Sequence, residues 1–482
     1  MAAIWQGHFH NFGRLSMISR TVLTLAIGLA AISSAATAQQ ETDATIRAYA
    51  AGYKAAFTCS ATFNGGKTPE QIKAHELTGI YPLVQDIVNA LPAAAIDGDG
   101  KTVSVTYSDT MPPRVSAWRS GIGCVQLPVG AEIDAVRYLP QNQVSDDPDH
   151  GPKYPWKKLN TAADSSKLTV LLKNAFSDKS YGKDTLTTAL LVANPNDLMA
   201  ERYIDGFGIH TSQRTWSVAK SIGATVIGMA VHEGKLTTSA PAPIGEWQHP
   251  ADPRKNITLD NLLRMASGLD SNRAGNRTDR VYAGGGRMSD TATEAALEAV
   301  PGMRWKYANN DTLLAVRTLR SVLKSETEYL DYPASLFRML GMNDTRAETD
   351  WEGNFILSSQ VWTTSRDLAR LGILYLQDGM WEGKRILPEG WVKYVSSAAG
   401  PQPPSIRRNG TAIAGYGAQF WLFNERFPNI PNDAFAAMGN RGQYLVIIPS
   451  KNMVIIRRGH DPAGGEGFKI DKFVEDVLAA LD

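Results

Sequence analysis

Trp216-Ser217-Val218-Ala219-Lys220-Ser221 opens an apolar run that continues to His232 and closes at Gly234. Val218, Ile222, Val226 and Met229 keep a three-to-four spacing, which predicts a helix from about Ser217 to His232 with one face buried. Gly223 and Gly228 weaken that helix on propensity, so their expected use is close packing. Ser217 and Lys220 are three apart and share a face, so their side chains can meet. A helix N-terminus also supplies unpaired backbone N–H groups and positive potential beside the serine. A hydroxyl becomes a useful nucleophile when a neighbour takes its proton, and a desolvated lysine can do that. Taken alone, this spacing equally describes a serine N-cap followed by a surface lysine.

Around this helix the chain alternates between two patterns. Thr187–Ala193 and Leu198–Tyr203 read as a hairpin joined by Asn194-Pro195-Asn196-Asp197. At the other end, Ala418–Phe423, Ala434–Met438, Tyr444–Ile448 and Met453–Arg457 read as strands, and Phe468–Leu481 as a closing helix. Residues 240 to 345 are helical and loop-rich, with a glycine patch at Gly284-Gly285-Gly286, and Asp367–Gln377 is a further helix. Strands at both ends with helices between predict an α/β (α+β) domain of residues 184–482. Its architecture is one antiparallel sheet flanked by helices, with an inserted helical region.

Residues 39–183 form a smaller N-terminal domain in this reading. It starts with helix around Ala51-Gly52-Tyr53-Lys54, and has strand signals in Lys101–Tyr107 and Cys124–Pro128. A Pro- and Asp-rich connection follows over Leu139–Trp156, then a helix near Ala163–Phe176. The two cysteines of the chain, Cys59 and Cys124, both lie here. Residues 1–38 read as a leader: Arg20, an apolar run Val22–Ile32 too short to span a bilayer, and the small-x-small site Ala36-Thr37-Ala38. Met17 would be a natural start, making residues 1–16 an upstream extension. Cleavage near Ala38 predicts a secreted or periplasmic protein with no integral membrane segment, in which the two cysteines pair.

The 49 basic and 48 acidic residues nearly cancel, and no basic run or basic-aromatic stripe points to nucleic acid. The 8 histidines form no H-E-x-x-H motif and no close cluster with cysteine, so no metal is expected. The absence of a G-x-G-x-x-G after a strand, or of a glycine-lysine phosphate loop, leaves no cofactor to expect.

Two further segments carry chemistry. Tyr307-Ala308-Asn309 lies ninety residues after Ser217, between Pro301-Gly302 and the apolar helix Leu313–Leu323. A phenol near an ammonium can act as acid or base, and an amide two positions on can accept or donate. Gly439-Asn440-Arg441-Gly442-Gln443 enters the strand Tyr444–Ile448; its glycines let a substrate lie along the strand, and the backbone N–H of Gln443 can face an oxyanion.

In this order the segments resemble the serine β-lactamase and penicillin-binding-protein superfamily, in the branch of class C-like enzymes, esterases and 6-aminohexanoate-dimer hydrolases. The resemblance covers about residues 187 to 482. It includes Ile257–Leu269, similar to that family's helix and Ser-Gly-Leu turn, and Thr363–Gly372, similar to the helix after its active-site lobe. It implies Ser217 as acylated nucleophile, Lys220 as its proton partner and Tyr307 as general base and later acid. Asn309 would orient the lysine or substrate, and the amides of Ser217 and Gln443 would form the oxyanion hole. Asn440, Arg441 and Gly442 stand where the family carries Lys-Thr-Gly or His-x-Gly, so a substrate-binding cation is missing at position 440. Arg441 either points away, as strand neighbours do, or returns through a bend. The implied substrate is a small ester, linear amide or short peptide-like molecule. The alternatives are a silent periplasmic sensor or binding protein, or a true β-lactamase or D-Ala-D-Ala carboxypeptidase. His460 is read as structural.

Overall fold

The computed structural model describes residues 25–142, 155–156, 166–271 and 279–481. The first 24 residues of the expected leader, with Met17 and Arg20, and most of the Pro-rich connection fall outside these ranges. Among the described residues no helix is long and apolar enough to cross a membrane.

Helix Leu25–Phe63 packs against a four-stranded sheet in which β1 (Ala95–Asp97), β2 (Thr102–Val105), β3 (Arg114–Arg119) and β4 (Gly123–Gln126) lie in chain order. Cys59 on the helix is disulfide-bonded to Cys124 on β4, the pairing expected of the two cysteines.

Next in the chain come β5 (Thr187–Ala193) and β6 (Leu198–Tyr203), paired antiparallel as their turn chemistry predicts. The Asn194 side-chain oxygen closes that turn, accepting from the amides of Asn196 and Asp197 at 2.7 Å each. Three short strands, β7 (Gln213–Arg214), β8 (Arg346–Ala347) and β9 (Val361–Thr363), make a second small sheet in the order β7-β9-β8. A two-residue pair, β10 (Met380–Trp381) and β11 (Lys384–Arg385), stands alone.

The main sheet is completed by β12 (Gly415–Tyr416), β13 (Trp421–Leu422), β14 (Phe435–Gly439), β15 (Gln443–Ile448) and β16 (Met453–Gly459). Its order is β12-β13-β14-β15-β16-β5-β6, antiparallel throughout, so strands from the two ends of the domain meet at β16 and β5. Alternation assigns each residue to a face. Leu191, Ala193, Leu445, Ile447, Val454 and Ile456 join the core that includes helices Val218–His232 and Ser365–Leu376. Leu190, Val192, Val446, Ile448 and Ile455 join a second core under helices Lys167–Ala175 and Ile470–Leu481. Both faces are covered, which is why these strands read as almost unbroken apolar runs.

Two expectations are corrected in detail. The stretch Ala418–Phe423 forms only the short strand β13, because Gln419 takes a left-handed φ of 64° inside a turn closed by Gly417 N–H to Phe420 O. The helix after Ser217 is buried on every side, from Val218 to Ala230. Its glycines explain how: a Cβ on Gly228 would stand 2.7 Å from the Trp391 ring, and one on Gly223 would be 3.4 Å from Leu357 and Val316.

Candidate active site

Thr215 leaves β7 with its amide and hydroxyl both on the Val361 carbonyl of β9, at 2.8 and 2.9 Å. Trp216 then turns the chain through a φ of 51°, and Ser217 stands half-buried at the head of helix Val218–His232. One turn along, Lys220 is almost wholly buried. Its Nζ lies 3.3 Å from Ser217 Oγ, 2.6 Å from Asn309 Oδ1 and 2.7 Å from the Ser358 carbonyl. Desolvation lowers this ammonium to about 7. An ammonium donates to all three oxygens; a neutral amine keeps the donations to Asn309 and Ser358 and can turn its lone pair to the Ser217 hydroxyl.

Tyr307 and Asn309 reach this point because the segment before helix Asn309–Val322 is extended at Ala308, φ −139°, and crosses the head of the nucleophile helix. The Tyr307 ring lies 5.1 Å from Lys220 Nζ and stacks on Trp421 at 5.5 Å, with Tyr416 edge-on at 6.1 Å. Burial among these rings raises the phenol above its ordinary range, and a hydrogen bond with Ser217 draws it partly back. Near neutral pH Tyr307 is therefore a phenol. Behind them, Asp311 receives the Ser267 hydroxyl at 2.7 Å, joining the Tyr307 segment to the Ser267-Gly268-Leu269 turn.

The third segment forms the β14–β15 hairpin. A Cβ on Gly439 would stand 2.3 Å from the Thr215 carbonyl and 3.2 Å from the Ser217 amide nitrogen, so glycine is what lets the hairpin lie against the serine turn. Gln443 is the cross-strand partner of Gly439. Its side chain is held by Arg458, whose Nε donates to Gln443 Oε1 at 2.7 Å. Gly442, at φ 78°, leaves room for Arg457, which donates to the Gly442 carbonyl and pairs with Asp461.

Arg441 is not on a strand at all. It occupies the turn at φ 56°, and its buried guanidinium donates to the carbonyls of Asp461 at 3.0 Å, Thr78 at 2.6 Å and His460 at 3.3 Å. Asn440 remains half-buried beside it, its amide 3.4 Å from the Tyr81 hydroxyl. His460 is buried and stacks on His75 at 5.3 Å, beside the ion pair of Lys67 and Glu76.

Sequence reading had no means of finding the Ser358 carbonyl, because a backbone acceptor has no side-chain signature. In sequence Gly439 reads as room for a substrate along the strand, Trp421 lies inside the strand signal Ala418–Phe423, and Tyr416 stands just before it with no signal of its own. The role of residues 41–81 in supplying Tyr81 and the Thr78 carbonyl depends on long-range packing.

Comparison with known proteins bears on this arrangement. The 6-aminohexanoate-dimer hydrolase of Paenarthrobacter ureafaciens is 25% identical over 299 residues, covering 57% of this chain and 73% of that protein. Among solved structures, the "Putative 6-aminohexanoate-dimer hydrolase from Bacillus anthracis" superposes with a TM-score of 0.53 at 22% identity, over 69% of this chain and 88% of that one. A penicillin-binding protein homologue from Caulobacter crescentus gives 0.51 at 14% identity, over 65% and 96%. These two structures share the fold. The beta-lactamase family profile matches residues 172–471, well over half of the sequence, and its span runs from the helix before β5 to the start of the closing helix. With the sheet order, the buried helix Val218–His232 and this match in agreement, the chain belongs to the beta-lactamase family.

Proposed function

We propose that this protein is a serine hydrolase that cleaves a small ester or linear amide through an acyl-enzyme on Ser217. The observation that carries the reading is Lys220: buried, lowered to about 7, and 3.3 Å from Ser217 Oγ. Its amine removes the Ser217 proton as Oγ bonds to the substrate carbonyl carbon. The amides of Ser217 and Gln443 are assigned to the developing oxyanion; Gly439, the cross-strand partner of Gln443, lets the hairpin lie against the Ser217 amide. Tyr307, in its phenol form, protonates the leaving group as the carbonyl–heteroatom bond breaks, which leaves a phenolate beside the Lys220 ammonium. Water then adds to the acyl ester as it gives a proton to the Tyr307 phenolate, and the Lys220 ammonium returns its proton to Ser217 Oγ as the acid is released.

Recognition is where this chain departs from a carboxylate-binding site. Asn440 is neutral, and the Arg441 guanidinium is committed to three carbonyls. An ester or linear amide with no carboxylate next to the scissile bond is favoured over a β-lactam or D-Ala-D-Ala peptide on that ground, and the similarity to the 6-aminohexanoate-dimer hydrolase of Paenarthrobacter ureafaciens supports a linear amide. The test is a kcat/KM panel of a short-chain p-nitrophenyl ester, a chromogenic cephalosporin, a D-Ala-D-Ala peptide and a linear 6-aminohexanoate dimer, each repeated with Ser217→Ala. Ser217-dependent turnover of the ester or dimer is expected. Efficient turnover of the cephalosporin alone would overturn the substrate assignment, and failure of every substrate would favour a silent binding protein.

We also infer export, on Arg20, the apolar run and Ala36-Thr37-Ala38. The exported chain should begin near Gln39 on N-terminal sequencing; an intact Met1 or Met17 on cytoplasmic protein would refute it.

A further inference from the structure

The residue before the candidate nucleophile has a backbone setting that a bulky L-residue rarely adopts. Trp216 lies at φ 51°, in the left-handed region. Such a conformation persists only where its surroundings over-determine it. The surroundings here are built on Arg214. Its guanidinium carbon is 3.6 Å from the Trp216 ring centroid, 4.4 Å from that of Tyr282 and 4.5 Å from that of Phe57.

Arg214 is 2% exposed. Its Nε donates to the Ser359 carbonyl at 3.1 Å, while Nη1 and Nη2 are buried with no hydrogen-bond partner. A buried guanidinium normally spends its five N–H donors on carboxylates or carbonyls. Here aromatic faces stand in for them, an arrangement that draws strength from the exclusion of water. What a guanidinium supplies in that place is a flat cationic plate that three rings can grip together.

Two of the rings come from outside the nucleophile segment. Phe57 is on helix Leu25–Phe63, where Tyr53 stacks on it at 4.0 Å, and Tyr282 ends the short helix Asp279–Tyr282. The N-terminal helix is pressed hard against that region: a Cβ on Gly52 would stand 2.0 Å from the Ala283 carbonyl oxygen. Two residues beyond Phe57, Cys59 ties the same helix to β4.

We propose that Arg214 is a positioning residue, gripped between Phe57, Tyr282 and Trp216 so that Trp216 keeps its left-handed turn and Ser217 stays aligned with Lys220. The N-terminal helix is then a buttress of the nucleophile turn, contributing no reacting group of its own. This rests on the reading of Ser217 as nucleophile.

The experiment measures Ser217 labelling by a fluorophosphonate, and kcat and KM for a short-chain p-nitrophenyl ester, in the full-length wild type, Ser217→Ala, Arg214→Lys, Phe57→Leu and Phe57→Tyr. Arg214→Lys keeps the charge and loses the plate. It should lower labelling rate and kcat about tenfold or more while KM moves less than about twofold, the pattern of a misaligned nucleophile. Phe57→Leu should move the same way, and Phe57→Tyr, which keeps the ring, should stay near wild type. Where Arg214→Lys fails to fold, Phe57→Leu decides. A glycine adopts φ near 51° without strain, so in a Trp216→Gly background the Arg214→Lys change should cost under about twofold. Equal losses in both backgrounds would overturn the buttress, as would folded Arg214→Lys or Phe57→Leu protein that labels at the wild-type rate. Absence of labelling in the wild type, or labelling that survives Ser217→Ala, would overturn the nucleophile reading and the buttress with it.

Discussion

Lys220 Nζ and Asn309 Oδ1 meet at 2.6 Å from positions 89 residues apart, and this contact aims the amine at Ser217. The amide oxygen is a neutral acceptor, so it orients Lys220 without the charge that would hold it as an ammonium. Burial is then free to set the lysine at about 7. With the unprotonated amine as the proposed base, kcat/KM for an ester should rise with pH through about 7 and level off above it.

Replacing the neutral partner changes the electrostatics in a known direction. In Asn309→Asp a carboxylate would lie beside Lys220 and favour the ammonium, so its pKa rises. The acid limb of the pH–rate profile should move up by roughly 1 unit or more. A profile that stays in place would remove Lys220 from the role of base.

Tyr307→Phe separates the two proton transfers. p-Nitrophenolate departs without protonation, whereas an amine leaving group needs an acid. The variant should therefore lose roughly a hundredfold or more on a linear amide, and much less on the p-nitrophenyl ester. Equal losses on both substrates would return Tyr307 to the part of base.

Position 440 tests recognition. Asn440→Lys would place an ammonium near the Tyr81 hydroxyl, where Asn440 now sits at 3.4 Å. A charge-assisted hydrogen bond is worth about 1.5–3 kcal/mol. The ratio of kcat/KM for a carboxylate-bearing cephalosporin to that for a neutral ester should rise about tenfold or more; an unchanged ratio would show that this position does not read the substrate.

The disulfide closes a loop over a sequence separation of 65 residues. On the chain-entropy account its loss removes roughly 4 kcal/mol of stability. The Cys59→Ala, Cys124→Ala double variant should unfold at a clearly lower denaturant midpoint. If the N-terminal helix buttresses the nucleophile turn, activity should fall before global unfolding as denaturant rises. Coincident loss of activity and structure would count against that coupling.

Local pattern carried much of this protein's organisation. The period of apolar residues marks β5, β6, β14, β15 and β16 and the helix after Ser217, because alternation and three-to-four spacing are properties of short windows. The three-residue step from Ser217 to Lys220 already puts both on one helix face, and Tyr307 and Asn309 are singled out by the family resemblance. Tertiary structure decided the rest. The sequence leaves Arg441 either pointing away or returning through a bend, and the turn at φ 56° gives its guanidinium to the carbonyls of Asp461, Thr78 and His460. The strand signal around Trp421 does not reveal its stacking on Tyr307, and nothing near Phe57 announces a place against Arg214. The Ser358 carbonyl, which holds Lys220, belongs to the backbone and is the same at every residue. Spacing along a chain predicts contacts within one helix or hairpin, where geometry is set by covalent repeat. Contacts between distant segments depend on how both faces of the sheet are covered, and only the folded chain determines that.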